Sequence, residues 1–233
     1  MDKFFLDRFL DLIFPPKCGY CGEITTSKKF ICEKCNNLLL KSYINRCKLC
    51  GKISLVEKCP ECEKKILYYE KLIFCSEYNR EFKKKIHLYK FSDKKYLYHF
   101  FTELLYNYVK NEEFDVIIPV PISKERYRER GYNQSGLIAK KLAKLLNKEC
   151  LDNVLVKEKN SKRQSTRSFK ERIENVKNVF GVKNQPEIVD KKVLLVDDIF
   201  TTGSTANECA KMLKLADSGD IKIGVICISH MLR

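Results

Sequence analysis

The sequence predicts an α/β protein with a parallel sheet flanked by helices, preceded by a small module held together by metal. Three observations predict it. Short apolar runs at about Leu72–Tyr78, Asp115–Val120, Val193–Val196 and Ile221–Ile228 have the length and β-branched composition of buried strands. Helical periodicity fills the stretches between them, which makes βαβ units. Ahead of the first strand, eight of the twelve cysteines fall into four Cys-x₂-Cys pairs.

The chain opens on residues 2–14, where Phe5, Phe9, Leu12 and Ile13 recur at helical spacing until Pro15-Pro16 stops the run. An amphipathic helix over residues 1–15 is expected, packed on the rest of the protein. Peripheral association with a membrane surface is the alternative, and the acidic residues of the segment oppose it.

The cysteine pairs follow, in the segment 16–70: Cys18/Cys21, Cys32/Cys35, Cys47/Cys50 and Cys59/Cys62. Two thiolates on one tight turn can share a metal, and two such turns complete a tetrahedral site. Four pairs therefore imply two Zn²⁺. The simplest arrangement is sequential, with Cys18, Cys21, Cys32 and Cys35 on one ion and Cys47, Cys50, Cys59 and Cys62 on the other. A cross-braced arrangement, first pair with third, stays open. So small a segment cannot fold on apolar burial alone, so zinc should supply much of its stability. Residues 71–233 are expected to have their own core and to stay folded on chelation.

After the first strand, residues 80–90 place Phe82, Ile86 and Tyr89 on one helical face. Residues 95–110 form a second helix rich in Tyr, Phe and Leu. Asp115–Val120 is the next strand, and Pro119 and Pro121 are expected to stop its pairing. A basic loop with Arg126, Arg128 and Arg130 then enters a helix at about 134–147. Arginines at the carboxyl edge of a sheet suit phosphate or pyrophosphate. Residues 157–178 are strongly basic without apolar periodicity. They contain Arg163, Arg167 and Arg172, and fit a cover for a site, a nucleic-acid contact or a solvated loop.

The stretch Val193–Thr205 carries the chemistry. A buried strand delivers Asp197 and Asp198, and then Thr201, Thr202, Gly203, Ser204 and Thr205 form a small-residue turn into a helix. Thr205 and Glu208 are spaced as a capping box, so the helix is expected to start there and run to about Leu215. Its free N–H groups and positive dipole end make an anion site. Carboxylates for sugar hydroxyls or Mg²⁺ thus sit beside amides for a phosphate, the pair of demands that a phosphorylated ribose makes. The stretch resembles the phosphoribosyl pyrophosphate (PRPP) signature of type I phosphoribosyltransferases.

Hydrophobic residues make up 44% of the chain, which argues against disorder. The net charge of +15 favours an anionic partner, although a Lys-rich composition also serves simple solvation. No secretory signal or membrane-length apolar run is evident, and metal-bound thiolates suit a reducing cytoplasm.

Taken together, the chain resembles the ComF family of natural competence, of the ComFC type. The resemblance runs over the double zinc ribbon at 18–62, Lys90-Phe91, Pro119-Val120-Pro121, Arg130-Gly131-Tyr132-Asn133-Gln134 and Val193–Thr205. A spaced set of Gln164, Arg172, Asn175 and Phe180 also matches. It implies a type I phosphoribosyltransferase-like domain over 71–233. It also implies a role in moving transforming single-stranded DNA across the inner membrane, beside a helicase or other uptake machinery. On this reading Asp197, Asp198, Thr201–Thr205, Arg130 and Lys90 bind PRPP with Mg²⁺, with Asp197 and Asp198 catalytic if the chain is an enzyme. Arg126, Arg163, Arg167 and Arg172 contact DNA. The rivals are an active phosphoribosyltransferase of nucleotide metabolism or salvage and a zinc-dependent adaptor. Cys18 lies in a zinc knuckle and the chain has no glutaminase domain, so glutamine-dependent amide transfer is not expected.

Overall fold

The computed structural model describes residues 15–25, 29–40, 45–92, 94–157 and 179–229. The expected N-terminal helix at 2–14 lies outside them, as do Arg163, Arg167, Arg172 and Asn175.

Five strands form one all-parallel sheet. They are β1 (Lys71–Glu77), β2 (Val116–Pro119), β3 (Glu149–Cys150), β6 (Val193–Phe200) and β7 (Ile221–Ile228), in the order β1-β7-β6-β2-β3. The short strands β4 (Leu155–Lys157) and β5 (Phe180–Val182) pair antiparallel at either end of the basic stretch. Pairing does not stop at Pro119: it stands opposite Val196, and the Val120 N–H donates to the Val196 carbonyl at 2.9 Å.

Strand alternation divides the apolar residues between two cores. Ile73, Ile117, Leu194 and Val196 face α3 (Arg80–Phe91), α4 (Leu97–Val109) and α6 (Gln134–Leu146). Phe74, Ile118, Val193 and Leu195 face α7 (Ser204–Leu215). The sequence periodicity of α3 is realised, with Phe82, Ile86 and Tyr89 buried and Asn79 Oδ1 capping the Phe82 N–H at 3.0 Å. The stretch read as a basic loop is in part a helix, α5 (Lys124–Arg130). Ser123 caps it, and Gly131 ends it at φ 74°. Local capping residues, not apolar periodicity, make this helix, so a reading by periodicity passes over it.

The cysteine segment contains α1 (Glu33–Leu40) and α2 (Pro60–Glu63) and is built twice. The first knuckle of the second ribbon repeats that of the first at an offset of 29 positions, Cys18 to Cys47 and Cys21 to Cys50, and the second knuckle at 27, Cys32 to Cys59 and Cys35 to Cys62. The backbone bonds repeat with it. Gly22 N–H donates to Cys18 O at 2.9 Å, and Gly51 N–H to Cys47 O at 2.8 Å.

The two ribbons grip opposite faces of the sheet at the β1 edge. Cys18, Ile31, Cys35 and Leu39 enter the core of α3 and α4, while Cys47, Leu49, Cys59 and Cys62 enter the core of α7. A Cβ on Gly19 would stand 2.3 Å from Phe100 Cγ, so only glycine permits this approach. The Leu72 N–H on the outer edge of β1 donates to the Lys48 carbonyl at 2.7 Å, which closes an otherwise open strand edge.

Candidate functional site

The eight paired cysteines form two zinc-binding clusters, and their pairing is sequential. In each, the four sulfurs lie within 4.8 Å of one another. The Cys21–Cys32 and Cys50–Cys59 Sγ separations are 3.8 and 3.7 Å. A tetrahedron with Zn–S of about 2.3 Å has an edge of about 3.8 Å, so the donors fit the ion. Backbone amides support them: Cys32 N–H donates to Cys18 Sγ and Cys59 N–H to Cys47 Sγ, both at 3.3 Å. Burial opposes ionisation of Cys18, but the amides of Cys21, Cys32 and Tyr20 outweigh it and hold the thiol at about 7. Cys47 is likewise held at about 7. Burial pushes Cys35 and Cys62 up, with neighbouring sulfurs adding to it. Four sulfurs so close cannot all carry charge without a cation between them, which is what a dication supplies.

The second centre is at the carboxyl end of β6. Alternation sends Asp198 toward α3, where the Lys90 ammonium in its last turn meets the carboxylate at 2.7 Å. Asp197 accepts from Ser135 Oγ, at the start of α6, at 2.9 Å and from the Asp198 N–H at 2.9 Å. Desolvation, and then the charge of Asp198, pushes Asp197 up to about 7, against the Asp198 amide, Lys90 and Ser135. Two adjacent carboxylates with one lysine in direct contact, on Asp198, are short of positive charge. This donor set fits Mg²⁺, which takes one or two carboxylates and keeps the rest of its shell for water and phosphate.

The turn that follows is shaped by Gly203, at φ +77°. A Cβ there would meet Phe200 Cζ at 2.5 Å. Gly203 is also the N-cap, so α7 starts at Ser204 and the expected capping box of Thr205 and Glu208 does not form. Instead Thr202 Oγ1 accepts from the Ser204 N–H at 3.2 Å and lies 2.8 Å from Ser204 Oγ. A recess lined by Asp197, Thr201, Gly203 and Thr205 opens beside the helix start, where the first amides of α7 have no partner within the helix.

The structure therefore brings Asp197, Asp198, Lys90 and the turn Thr201–Thr205 to one sheet end. Arg130 is near them but engaged. Its guanidinium donates to Gln134 Oε1 at 2.9 Å and lies 4.9 Å from the Phe91 ring centre. Arg126 sits on α5. Sequence reasoning missed Ser135, whose role depends on where α6 begins relative to β6. It also missed Lys157, at the end of β4. Burial, and then the charge of Arg126, lowers the pKa of that ammonium, with Asp197 among the groups acting in the other direction. No local signal marks Lys157, because sheet pairing alone places it.

Comparisons with known proteins agree with this architecture. Residues 9–63 match the double zinc ribbon domain family and residues 100–231 the phosphoribosyl transferase domain family. The chain is 29% identical to competence protein F of Haemophilus influenzae, over 89% of this chain and 94% of that protein. It is 29% identical to competence protein ComFC of Streptococcus pneumoniae, over 88% of this chain and 97% of that one. It is 30% identical to competence protein ComFC of Bacillus subtilis, over 78% of this chain and 77% of that one. With two Cys₄ ribbons clasping a parallel sheet that ends in Asp197-Asp198 and a Gly203 turn, the chain belongs to the ComF family, a double zinc ribbon joined to a phosphoribosyl transferase domain.

Proposed function

We propose that this chain binds PRPP with Mg²⁺ at the β6–α7 turn and serves the uptake of transforming single-stranded DNA, alongside a helicase or other uptake machinery. The observation that carries the ligand is the pairing of Asp197 and Asp198 with Lys90 and Ser135 beside the start of α7. Asp197 and Asp198 would hold ribose hydroxyls and the metal, and Thr201–Thr205 would hold the 5′-phosphate with main-chain amides. Mg²⁺ would neutralise the pyrophosphate. The DNA role is supported by relatives named competence proteins and by a "DNA utilization protein" of Escherichia coli, 24% identical over 90% of this chain. Arg126 is the proposed DNA contact within the described residues; Arg163, Arg167 and Arg172 are proposed from sequence alone.

Isothermal titration with PRPP and Mg²⁺ tests the reading. Asp197→Asn with Asp198→Asn keeps volume but removes the charge that attracts the metal and accepts strong hydroxyl bonds. The double variant should stay folded and lose detectable binding. If it bound as the wild type does, the ligand site would lie elsewhere.

A further inference from the structure

A second surface, away from the carboxylates, combines lysines with aromatic rings. A groove of about 350 Å³ lies between α4 and α6, lined by Tyr98, Leu137, Lys140, Lys141, Lys144 and Leu145. Lys140 and Lys144 are one turn apart on α6, so they share a face. Lys141 reaches across the groove, with its ammonium 5.8 Å from the Tyr98 ring centre and 5.3 Å from that of Phe30.

The same pairing of ring and cation continues toward the cleft. Lys94 lies 6.0 Å from the ring of Tyr96, which is 61% exposed. Lys95 lies 5.5 Å from that of Tyr132, and Arg130 lies 4.9 Å from that of Phe91, which is 58% exposed. Along the chain each of these ring–cation pairs has a member from Phe91, next to the Lys90 that meets Asp198, to Tyr98 on the groove, and we call them a track. Among the described residues, two carboxylates near the groove are already engaged. Glu103 accepts the Phe30 N–H at 2.5 Å, and Asp152 pairs with Lys140 at 2.5 Å between half-exposed side chains, a surface pair of little strength that a phosphate can displace.

We infer that this track binds a single nucleic-acid strand, with phosphates on the lysines of α6 and bases against Tyr96 and Tyr98. An acidic peptide would use the cations but leave exposed rings without a partner. Stacked bases use both, and they do so with little sequence preference, because every base has a flat face. The inference deepens the DNA part of the proposed function, and rests on it, by naming where the strand lies. Ser135 begins α6 at Asp197, and Lys140 and Lys144 follow five and nine residues on. At 1.5 Å per residue the strand would start about 8–14 Å from the carboxylates.

Fluorescence anisotropy with a labelled oligothymidylate across a salt series tests this. The full-length chain carries either Lys140→Ala with Lys144→Ala, or Lys64→Ala with Lys65→Ala. The latter pair is exposed at the end of the second ribbon and changes the charge by the same amount. The groove variant should weaken binding at least tenfold. Its log–log salt slope should be shallower by about 1.4, for two phosphate contacts at about 0.7 each. The ribbon variant should stay within about threefold of wild type. Tyr96→Ser should weaken binding about fivefold or more with the slope unchanged, because stacking releases no counterions. Titration with PRPP should remain at the wild-type value in the groove variant. If the ribbon variant lost as much as the groove variant, binding would be diffuse and the track wrong. Saturation by thymidine monophosphate at the oligonucleotide's own concentration range would overturn the strand as the ligand. A wild-type chain that binds no oligonucleotide would overturn the DNA part of the proposed function along with the track. Wild-type binding with an unaffected groove variant would overturn the track alone.

Discussion

Asp197 is held in a state its neighbours only partly compensate. Its folded pKa, about 7, lies above the ordinary value of 3.8. The folded protein therefore keeps a proton that the unfolded chain releases between those values. Stability falls as pH rises through that window, and the full penalty is present above about pH 7. Asp197→Asn, without ligand, should therefore raise the melting temperature at pH 8 more than at pH 4.5. Each kcal/mol recovered is worth about 2–4 °C in a chain of this size. Equal shifts at both pH values, measured by calorimetry, would mean that the carboxylate carries no such penalty. Gly203 has the opposite sign. Gly203→Ala places a methyl against the Phe200 ring at positive φ, so it should cost more than about 1 kcal/mol and impair the proposed PRPP binding through the amides of the turn. Urea titration and isothermal titration read the two effects separately.

At the scale of elements, the ribbons are two copies of one device with unequal surroundings. In the first, Cys21 is exposed and Cys18 and Cys35 are buried; in the second, three of the four cysteines are buried. Elemental analysis of reduced protein should give two zinc ions per chain. A chelator should take the first ion faster, because it can reach Cys21 Sγ directly. Release of both ions at one rate, followed with a zinc-sensitive dye, would show that burial does not control exchange. Helix α5 is the element that the apolar pattern does not reveal. The helices α3, α4 and α6 announce themselves by buried residues at helical spacing. Helix α5 has no buried residue, so its apolar pattern is blank.

At the scale of the molecule, the ribbons and the sheet share their cores. Asn207 of α7 adds to this by accepting the Tyr68 N–H at 2.9 Å and donating to the Ile66 carbonyl at 3.1 Å, so it ties the linker to the helix that follows the Gly203 turn. The expectation that residues 71–233 stay folded on chelation meets this shared packing. Removing zinc withdraws Cys18 and Cys35 from one face and Cys47, Cys59 and Cys62 from the other. Zinc release and loss of sheet circular dichroism should then coincide in a urea titration, as one cooperative unit. Two separated transitions would show that the sheet stands alone.

The sequence by itself determined the parallel α/β class, the eight metal ligands and the Asp-Asp-turn-helix order, because each is written in residues close along the chain. Apolar runs set strand existence, Cys-x₂-Cys sets a knuckle, and a strand running into a small-residue turn sets an anion site. Tertiary structure decided what depends on distant segments meeting. It made the zinc pairing sequential, brought Lys90 to Asp198 from more than a hundred residues away, put Ser135 on Asp197, and set Tyr98 beside the lysines of α6. Those contacts follow from the strand order β1-β7-β6-β2-β3 and from which sheet face each helix covers. Local periodicity fixes which face of a helix is apolar, but only the packed sheet fixes which helices end beside one another.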